Sequence, residues 1–441
     1  MTRIAFAADD FTGATDALWQ FRRFGLTGSL VTDVAHLHDR DDVIGIATTA
    51  RTSADPASVV LPAFTALAGL RPLVIQYKVC STFDSSPQRG SIGAVVAALH
   101  RAGMARGPVP VLAAQPELGR CTWFANHFVR AGDEVHRLDR YPPARDHPVT
   151  PATEADLRVR LAEQGAGRTG WLPASPSEDD YRARAGDAAF VADAVTDEHV
   201  RALGRLLLAD AATRTPLCCV GSGGLSRALA SALASASAPA TTAGREVLGA
   251  VAPVLVLSGS RSPITARQID TAERAGWRVF ADLSSPAGLV EQVEESLRDG
   301  RHTIVESTRG PARDPDGIGT SLGRIAATMV RAGLVRRLVI AGGDTSGQVV
   351  AALGVRSLDV VASLAAGGPV CVPASDDPAV DGIEVALKGG QVGGDDYFLR
   401  AAAGHRERPD DCRLGAGYAP ARRPPGPAAE GDVAGDAVRR R

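Results

Sequence analysis

Short apolar runs alternate with amphipathic helical patterns through most of this 441-residue chain. Apolar strands that alternate with helices are typical of a parallel sheet covered by helices, so we predict an α/β fold. A helix is expected after the first run, where Ala14, Ala17 and Leu18 begin one apolar helix face that Phe21 continues. The predicted strands are Arg3–Ala7, Ser29–Thr32, Val43–Ala47, Leu73–Tyr77, Pro110–Ala114, Leu217–Val220, Val254–Leu257, His302–Glu306, Leu338–Ala341 and Glu384–Ala386.

The length of the chain predicts two domains, each a mostly parallel sheet with flanking helices. The first is expected over residues 1–245, with a surface excursion at residues 165–195, where periodicity is weak. The Ala- and Ser-rich stretch Ala230–Gly244 is expected to begin as a helix and end as a linker. The second domain then covers residues 246–405. Residues 406–441, rich in Pro, Gly and Arg, are expected to form a disordered tail.

Composition and charge limit the classes of partner. The net charge is −2, so we expect no general attraction to nucleic acid or to an anionic membrane surface. No run approaches the roughly 20 apolar residues of a membrane helix, and the N-terminus carries acidic residues where a signal peptide needs an apolar run. The six cysteines form no C-x-x-C pair, which disfavours a zinc site or a disulfide scaffold. We therefore expect a cytoplasmic protein, with the oligomeric state left open, a homodimer included.

Two adjacent carboxylates follow the first predicted strand, at the edge where open α/β sheets bind ligands. Asp9 and Asp10 precede Thr12 and Gly13 at the expected start of a helix. One helix cap needs only one such residue, and this segment has more than a cap requires. The excess favours a catalytic or metal-binding role for the pair over a purely structural one.

Lysine is nearly absent from the chain, since only Lys78 and Lys388 of its 48 basic residues are lysine. A strong bias toward arginine leaves lysine where a compact ammonium is needed, unless these two survived by chance. Lys78 is followed by a run of hydroxyl side chains that includes Ser81 and Thr82. This pattern suits a small, negatively charged and polyhydroxylated ligand. Arg51, after the third strand, could grip a carboxylate with two parallel hydrogen bonds or could be an exposed structural residue.

Glycine-rich loops follow the strands of the second half. Small residues between a strand and a helix N-terminus can form a phosphate site from backbone N–H groups and the helix dipole. Four such loops in one half favour a nucleotide-phosphate pocket. They are Ser258–Pro263, Gly342–Gly347, Ala366–Pro369 and Lys388–Gly394.

Several known signatures are absent from the sequence. There is no G-x-x-x-x-G-K-[ST] loop and no H-E-x-x-H motif. The segment Gly221–Gly224 lacks the last glycine of G-x-G-x-x-G, which disfavours an NAD-linked oxidoreductase. A non-catalytic sensor of such a small polyhydroxylated ligand stays open as an alternative, although Asp9 and Asp10 beside a nucleotide-type half argue against it.

Long blocks of the sequence resemble the four-carbon acid sugar kinase family. The similar blocks are Ala8–Asp16, Tyr77–Gly93, Pro116–Phe128, His147–Arg158 and Leu387–Gly394. The block Tyr77–Gly93, which contains Lys78, is most like that of the branch that acts on 3-oxo-tetronate. In the threonate and erythronate branches the corresponding block is closer to K-x-D-S-T-L-R-G. Two departures are Asp344, where the family usually has Glu, and the loop K-G-G-Q-V-G, where the family is closer to K-S-G-N-F-G.

The resemblance implies an N-terminal sugar-acid domain, a C-terminal nucleotide domain and an active site in the cleft between them. The family's sugar-acid site corresponds to Asp10, Arg51, Lys78, Ser81 and Thr82. Its ATP site corresponds to Ser258, Gly367, Gly368, Pro369 and Gly390. The small-residue loops add Gly259, Ser260, Gly343 and Lys388 as candidates for ATP binding.

We therefore expect an ATP-dependent kinase that phosphorylates the terminal C4 hydroxyl of a four-carbon sugar acid. The resemblance favours 3-oxo-tetronate, and D-threonate or D-erythronate is the alternative. Arg51 and Lys78 would hold the substrate carboxylate and neighbouring oxygens. Asp10 would accept the hydroxyl proton while Asp9 orients the site or a metal ion, although which of the two is the base stays open. Mg²⁺ would bridge the phosphates of ATP.

The scarcity of lysine predicts that Lys78→Arg is far from neutral although it keeps the charge. A planar guanidinium will not fit a pocket shaped for a compact ammonium. We expect kcat/KM for the oxo-acid substrate to fall by about tenfold or more, the loss of at least one charge-assisted hydrogen bond. An unchanged kcat/KM would show that the lysine count carries no functional information.

Overall fold

The computed structural model describes residues 2–236, 248–283, 286–310 and 315–404. Among these residues, fifteen strands form one sheet and three strands form a small antiparallel sheet, which confirms the predicted α/β fold. The strands are β1 (Ile4–Ala8), β2 (Gly28–Val31), β3 (Val43–Ala47), β4 (Val74–Lys78), β5 (Val109–Leu112), β6 (Arg120–Trp123), β7 (Asn126–Ala131), β8 (Glu134–Arg137), β9 (Thr169–Leu172), β10 (Ala189–Ala192), β11 (Leu217–Gly221), β12 (Val254–Ser258), β13 (Arg278–Phe280), β14 (Thr303–Glu306), β15 (Arg337–Ala341), β16 (Val355–Ala365), β17 (Gly368–Ser375) and β18 (Glu384–Lys388). The helices are α1 (Phe11–Arg22), α2 (Pro56–Ala68), α3 (Ile92–Arg101), α4 (Pro142–Arg145), α5 (Leu157–Glu163), α6 (Glu178–Arg182), α7 (Asp197–Ala211), α8 (Gly223–Ala236), α9 (Pro263–Arg274), α10 (Pro286–Arg298), α11 (Pro315–Arg331), α12 (Gly343–Ala352) and α13 (Tyr397–Ala403).

The first half of the large sheet is parallel, with the strand order β2-β3-β1-β4-β11-β5-β10-β9. Strand β1 is fully buried and pairs with β3 on one side and with β4 on the other. The chain therefore runs outward to opposite sides of β1. Connections that diverge in this way leave a crevice at the carboxyl ends of the central strands, which is where α/β folds bind ligands.

The second half has the order β13-β14-β12-β15-β18-β17-β16. Its first five strands are parallel, with β12 between β14 and β15. A second crevice therefore opens at the carboxyl ends of β12 and β15. The antiparallel hairpin of β16 and β17 completes this half, with β17 paired antiparallel to β18.

The two halves form one continuous sheet because β16 pairs with β2. In this antiparallel pairing, Leu358 lies opposite Leu30. Thr32 extends the junction, since its backbone N–H donates to the carbonyl oxygen of Arg356 at 3.0 Å and its hydroxyl donates to the carbonyl oxygen of Val355 at 2.8 Å. Neither β16 nor β17 was among the predicted strands, so this junction was not anticipated by the sequence analysis.

Helix α1 packs its predicted apolar face into the core. Ala14, Ala17, Leu18 and Phe21 are all buried, as the periodicity predicted. Phe21 stacks on Phe6 of β1, with ring centroids 6.4 Å apart. This packing fixes the N-terminus of α1 directly above the carboxyl end of β1.

The expectation of a surface excursion at residues 165–195 is wrong for most of that segment. The structure places two strands there, β9 and β10, which pair with each other and extend the large sheet beyond β5. Strand β10 is buried along its whole length, and only the segment around α6 is mainly exposed. Four-residue strands are too short to produce a clear periodicity, which explains the error.

Two other expectations fall partly or wholly outside the described residues. Helix α8 covers the first part of the Ala- and Ser-rich stretch and ends at Ala236, whereas residues 237–247, expected as a linker, are not described. The expected tail at residues 406–441 also lies outside the described part of the chain. None of the described helices combines the length and apolarity needed to cross a lipid bilayer.

The small sheet β6-β7-β8 and the segment that follows it lie over the crevice of the first half. Asp193, just after β10, anchors this unit by accepting hydrogen bonds from the backbone N–H groups of Phe124 and Ala125 at 2.6 and 3.0 Å. A second anchor is His127, whose Nε2 lies 2.7 Å from the carbonyl oxygen of Ser81. The unit therefore has a fixed position beside the loop after β4.

Candidate active site

The carboxyl ends of β1 and β4 in one half face those of β12 and β15 in the other, across a cleft of about 1470 Å³. The cleft is lined by loops from both halves and by the small sheet with its following segment. The predicted location of the site, between the two halves, therefore corresponds to a real cavity. It contains most of the side chains that the sequence singled out.

Arg51 joins the two carboxylates that follow β1. Its Nε and Nη2 donate to the two oxygens of Asp9 at 3.0 and 2.7 Å, and its Nη1 donates to Oδ2 of Asp10 at 2.6 Å. Burial raises the pKa of Asp9, and Arg51 opposes that rise. Burial also disfavours the charge of Arg51, but Asp10 and Asp9 outweigh it and raise the pKa of Arg51 well above its ordinary value. This cation is therefore committed mainly to the two carboxylates.

Asp10 also caps helix α1. Its Oδ1 accepts from the backbone N–H of Gly13 at 2.7 Å, and its Oδ2 accepts from the hydroxyl of Thr12 at 2.7 Å. The carboxylate is thus held in one orientation by three donors, counting Arg51. The cap and the proposed catalytic group are the same side chain.

Lys78 lies beside Asp10 at the end of β4. Its Nζ is buried and donates to the carbonyl oxygen of Val79 at 3.1 Å. A Cβ on Gly13 would lie 2.8 Å from this Nζ and 2.5 Å from Oδ1 of Asp10. Only glycine leaves room here for the ammonium, the carboxylate and the first turn of α1 to meet.

The hydroxyl loop after β4 is held rigidly from behind. Ser81 and Thr82 both line the cleft, as predicted. Phe83 has a left-handed φ of 56°, which is strained for a bulky residue. Arg160 stabilises this conformation by donating from Nη2 to the carbonyl oxygens of Phe83 and Ser85 at 3.1 and 2.8 Å.

The nucleotide-side loops meet where only small residues fit. A Cβ on Gly259 would lie 2.1 Å from the hydroxyl oxygen of Thr345, and one on Gly390 would lie 2.8 Å from that of Ser260. Helix α12 begins after Gly342, which provides no side-chain cap. Its first N–H groups are therefore available to an anion in the cleft.

The N-terminus of α12 reaches the carboxylates of the other half. A Cβ on Gly343 would lie 2.8 Å from Oδ2 of Asp10. Phe11, next to Asp10, packs against Gly347 on the same helix, where a Cβ would lie 3.0 Å from its ring. The candidate base and the candidate phosphate loop are thus in direct contact.

Four of the nine predicted ATP contacts do not line the cleft. Ser258, Gly368, Pro369 and Lys388 are buried and do not line the cleft, whereas Gly259, Ser260, Gly343, Gly367 and Gly390 do. Gly368 and Pro369 belong to strand β17 instead of a loop. Ser258 is the last residue of β12 and lies inside the sheet.

Lys388 supports the nucleotide-side loops from behind. Its Nζ donates to the hydroxyl oxygen of Thr265 at 3.0 Å, and that hydroxyl donates to the carbonyl oxygen of Gly390 at 3.0 Å. The same hydroxyl lies 3.1 Å from that of Ser260. Lys388 therefore positions two cleft-lining loops without facing the cleft.

Sequence analysis missed several charged residues of the cleft. They are Asp16, Asp84, Glu117, Arg120 and His147. Glu117 is the most connected, because it accepts from Arg23 at 2.6 Å, from Arg227 at 3.0 Å and from Gln20 at 2.5 Å. Burial disfavours its charge, but Arg23 and Arg227 outweigh this and lower the pKa of Glu117. These partners are up to 110 residues apart in sequence, so no local pattern could have revealed the network.

Two sequence-family models match the chain. One is described as a sugar-binding N-terminal domain and covers residues 4–229, and the other as a nucleotide-binding C-terminal domain and covers residues 255–398. The chain belongs to the four-carbon acid sugar kinase family. The sugar-binding match contains the Asp9–Asp10 pair and the hydroxyl loop, and the nucleotide-binding match contains the glycine-rich loops.

Curated relatives agree with this assignment, and solved structures share the fold. The chain is 32% identical over 443 residues to a 3-oxo-isoapionate kinase of Paraburkholderia graminis, covering 90% of this chain and 93% of the relative. It is 34% identical over 436 residues to a 3-oxo-tetronate kinase of Pseudomonas fluorescens, covering 89% and 95%. A crystal structure described as a candidate tRNA synthase from Salmonella typhimurium LT2 is 25% identical, with a TM-score of 0.72 over 91% of this chain and 98% of its own. A Haemophilus influenzae structure, 24% identical with a TM-score of 0.64 over 90% and 98%, has the same fold.

The burial of Lys388 predicts a pH-dependent stability. Burial lowers its pKa to about 7, whereas an unfolded lysine titrates near ~10.4. Between these values the unfolded chain binds more protons, so stability should rise with pH from about 7 to about 10. In Lys388→Met that contribution disappears. We expect the free energy of unfolding of the wild type relative to this variant to increase by at most about 1.4 kcal/mol per pH unit.

Urea unfolding of the wild type and Lys388→Met between pH 7 and 9.5 measures this difference. Arg336→Met is the control, because an exposed arginine does not titrate in this range and its difference from the wild type should stay constant. If the difference in unfolding free energy between the wild type and Lys388→Met is also independent of pH, the lowered pKa of Lys388 is contradicted.

Proposed function

We propose that this protein is an ATP-dependent kinase that phosphorylates the terminal C4 hydroxyl of a four-carbon sugar acid, with 3-oxo-tetronate as the expected substrate. The observation that carries the proposal is the contact between Asp10 and the N-terminus of α12. It brings a buried carboxylate of the sugar-binding half to the uncapped helix end of the nucleotide-binding half. Several curated relatives are named 3-oxo-tetronate kinase, which supports the choice of substrate.

Phosphoryl transfer depends mainly on positioning and on neutralising charge. In our proposal the terminal hydroxyl of the sugar acid lies against Asp10, and the γ-phosphate lies at the first turn of α12, next to that hydroxyl. Backbone N–H groups of that turn and the helix dipole would stabilise the phosphate charge.

Asp10 is the proposed general base. Its orientation is fixed by Arg51, Thr12 and the N–H of Gly13, so it needs little rearrangement to receive a proton. Asp9 holds the other edge of the Arg51 guanidinium and so keeps that cation in place. Asp9 is therefore a positioning residue in this mechanism.

Lys78 and the remaining N–H groups of Arg51 are proposed to bind substrate oxygens near the reacting end. One hydrogen on each terminal nitrogen of Arg51 is not used by the two aspartates, by the count of guanidinium donors. Ser81 and Thr82 would read the sugar hydroxyls from the opposite wall. Their loop is pinned by Arg160, so the hydroxyl positions are set before the substrate arrives.

Mg²⁺ fits the cleft as a companion of ATP. Magnesium that travels with a nucleotide needs only one or two protein carboxylates, since phosphates and water supply its other ligands. Among the described residues no cluster of three or more metal-binding side chains occurs, which agrees with such a sparsely held ion. Asp344, in the first turn of α12, lines the cleft and would hold it. The ion would neutralise phosphate charge during transfer.

ATP as the donor supports the expected cytoplasmic location.

ATP consumption against a panel of acids tests the proposed function. The panel contains 3-oxo-tetronate, D-threonate, D-erythronate and 3-oxo-isoapionate, each with ATP and Mg²⁺. We expect the highest kcat/KM with 3-oxo-tetronate and a phosphate ester at C4, identified by NMR. If another acid of the panel has the highest kcat/KM, that acid replaces 3-oxo-tetronate as the proposed substrate and the kinase activity stands. Binding of acids without turnover of any would contradict a kinase and favour a sugar-acid sensor.

The role of Asp10 is tested by Asp10→Asn. Asparagine is a good helix N-cap, so α1 should persist while the proton acceptor is lost. We expect kcat to fall by about 10²–10⁴-fold, with ATP binding retained in calorimetry. Asp42→Asn is the matched control, because Asp42 also pairs with an arginine, Arg3, but lies outside the cleft. If Asp10→Asn keeps a normal kcat and Asp9→Asn loses it, Asp9 is the general base and Asp10 the positioning residue. If both variants keep a normal kcat, neither carboxylate is the general base.

A further inference from the structure

Arg120 begins strand β6 and lines the cleft beside the hydroxyl loop. Its Nη1 donates to the carbonyl oxygen of Leu118, and its Nη2 donates to Oε1 of Gln391 at 3.3 Å. Its Nε is buried and has no hydrogen-bond partner in the described part of the chain. A buried donor without a partner is costly, so this guanidinium has unused capacity to bind a ligand.

The charge of Arg120 is also unbalanced. Within the residues that the structure describes, no carboxylate lies within 4.0 Å of it. Arg51 and Arg23 differ in this respect, since Arg51 pairs with two aspartates and Arg23 pairs with Glu117. Burial lowers the pKa of Arg120. An anion that entered the cleft would remove this electrostatic cost.

The backbone holds Arg120 in a fixed position. Gln115 and Arg120 exchange backbone hydrogen bonds, from N to O at 2.9 Å and in return at 3.2 Å. The side chain of Gln115 donates to Asp16 at 3.2 Å, and the Glu117 network anchors the turn between them. A preorganised cation loses little entropy when it binds an anion.

Two guanidinium groups act on the hydroxyl loop, since the charges of Arg51 and Arg120 both affect Cys80 and Asp84. Only Arg51 is hydrogen-bonded to the Asp9–Asp10 pair, and it therefore belongs to the reacting end of the cleft. Arg120 is held instead by Leu118 and Gln391 and makes no hydrogen bond to that pair among the described residues. A sugar acid also has two distinct ends, the terminal hydroxyl and the carboxylate.

We propose that Arg120 binds the carboxylate of the substrate and thereby selects acids over neutral polyols. This inference rests on the proposed function, because it assumes that the terminal hydroxyl faces Asp10. It changes the sequence-based expectation, in which Arg51 and Lys78 hold the carboxylate. Both of those cations lie beside Asp10, and Arg51 is already occupied by two carboxylates.

Gln391 connects this carboxylate site with the nucleotide-binding half. Its Oε1 accepts from Arg120 and from the hydroxyl of Tyr141 at 3.2 Å. Gln391 lies in the glycine-rich loop that also contains Gly390, whose backbone is held by Thr265 and Lys388. The orientation of Arg120 thus depends on contact between the two halves, so the acid should be bound best when the cleft is closed.

Kinetics of Arg120→Gln and Arg120→Lys test the proposal. We expect Arg120→Gln to raise KM for the sugar acid by about 10- to 100-fold, the value of a charge-assisted hydrogen bond, with kcat and the KM for ATP nearly unchanged. Arg120→Lys keeps the charge but loses the planar fork and should lie between this variant and the wild type. Arg137→Gln on strand β8 of the same small sheet, outside the cleft, should behave like the wild type.

The primary amide of the same acid provides a second measurement. The wild type should prefer the acid to the amide, and Arg120→Gln should lose most of this preference because only the acid needs the guanidinium. An unchanged KM and an unchanged acid-to-amide ratio would overturn the proposal, as would a loss confined to kcat or to ATP affinity. If Arg120→Gln does not fold, as judged by ATP binding, the same criteria apply to Arg120→Lys. A wild type that phosphorylates no sugar acid would instead overturn the proposed function.

Discussion

Three charged groups meet at the carboxyl ends of β1 and β3, where the guanidinium of Arg51 donates to both Asp9 and Asp10. Two adjacent buried carboxylates repel each other, and a shared cation reduces that repulsion. The same Asp10 caps α1 and touches the N-terminus of α12. The start of α1, the position of the loop after β3 and the contact between the halves therefore all depend on this cluster.

The continuous sheet explains how that contact is maintained. Strand β2 pairs with β16, so the two crevices cannot drift apart without breaking backbone hydrogen bonds at Thr32 and Leu358. On the far side of the cleft the halves touch through side chains, namely Gln391 with Arg120 and Tyr141. Side-chain contacts break more easily than a sheet. The halves are thus joined by backbone pairing at one edge of the cleft and by side-chain contacts at the other.

Local sequence signals were sufficient for most of the fold. Each predicted strand corresponds to an observed strand, because a buried parallel strand must be apolar along its length. The signals failed where an element was short or depended on a distant partner. Strands β9 and β10 have four residues each, and the hairpin β16–β17 is stabilised by pairing with β2, more than 320 residues away in sequence. No local pattern contains that information.

The sequence by itself determined which loops carry chemistry, because carboxylates, a rare lysine, hydroxyls and glycines cluster after strands. It placed Asp9, Asp10, Arg51 and Lys78 correctly in one group. Only the tertiary structure decided which way each side chain points. Lys388, the last residue of β18, turns into the core and supports Thr265, whereas Gly389 and Gly390 of the loop that follows line the cleft. Whether a charge has a partner is likewise a property of the assembled fold. The carboxylates that pair with Arg23 and Arg51 come from segments distant in sequence, and in the described residues no carboxylate pairs with Arg120.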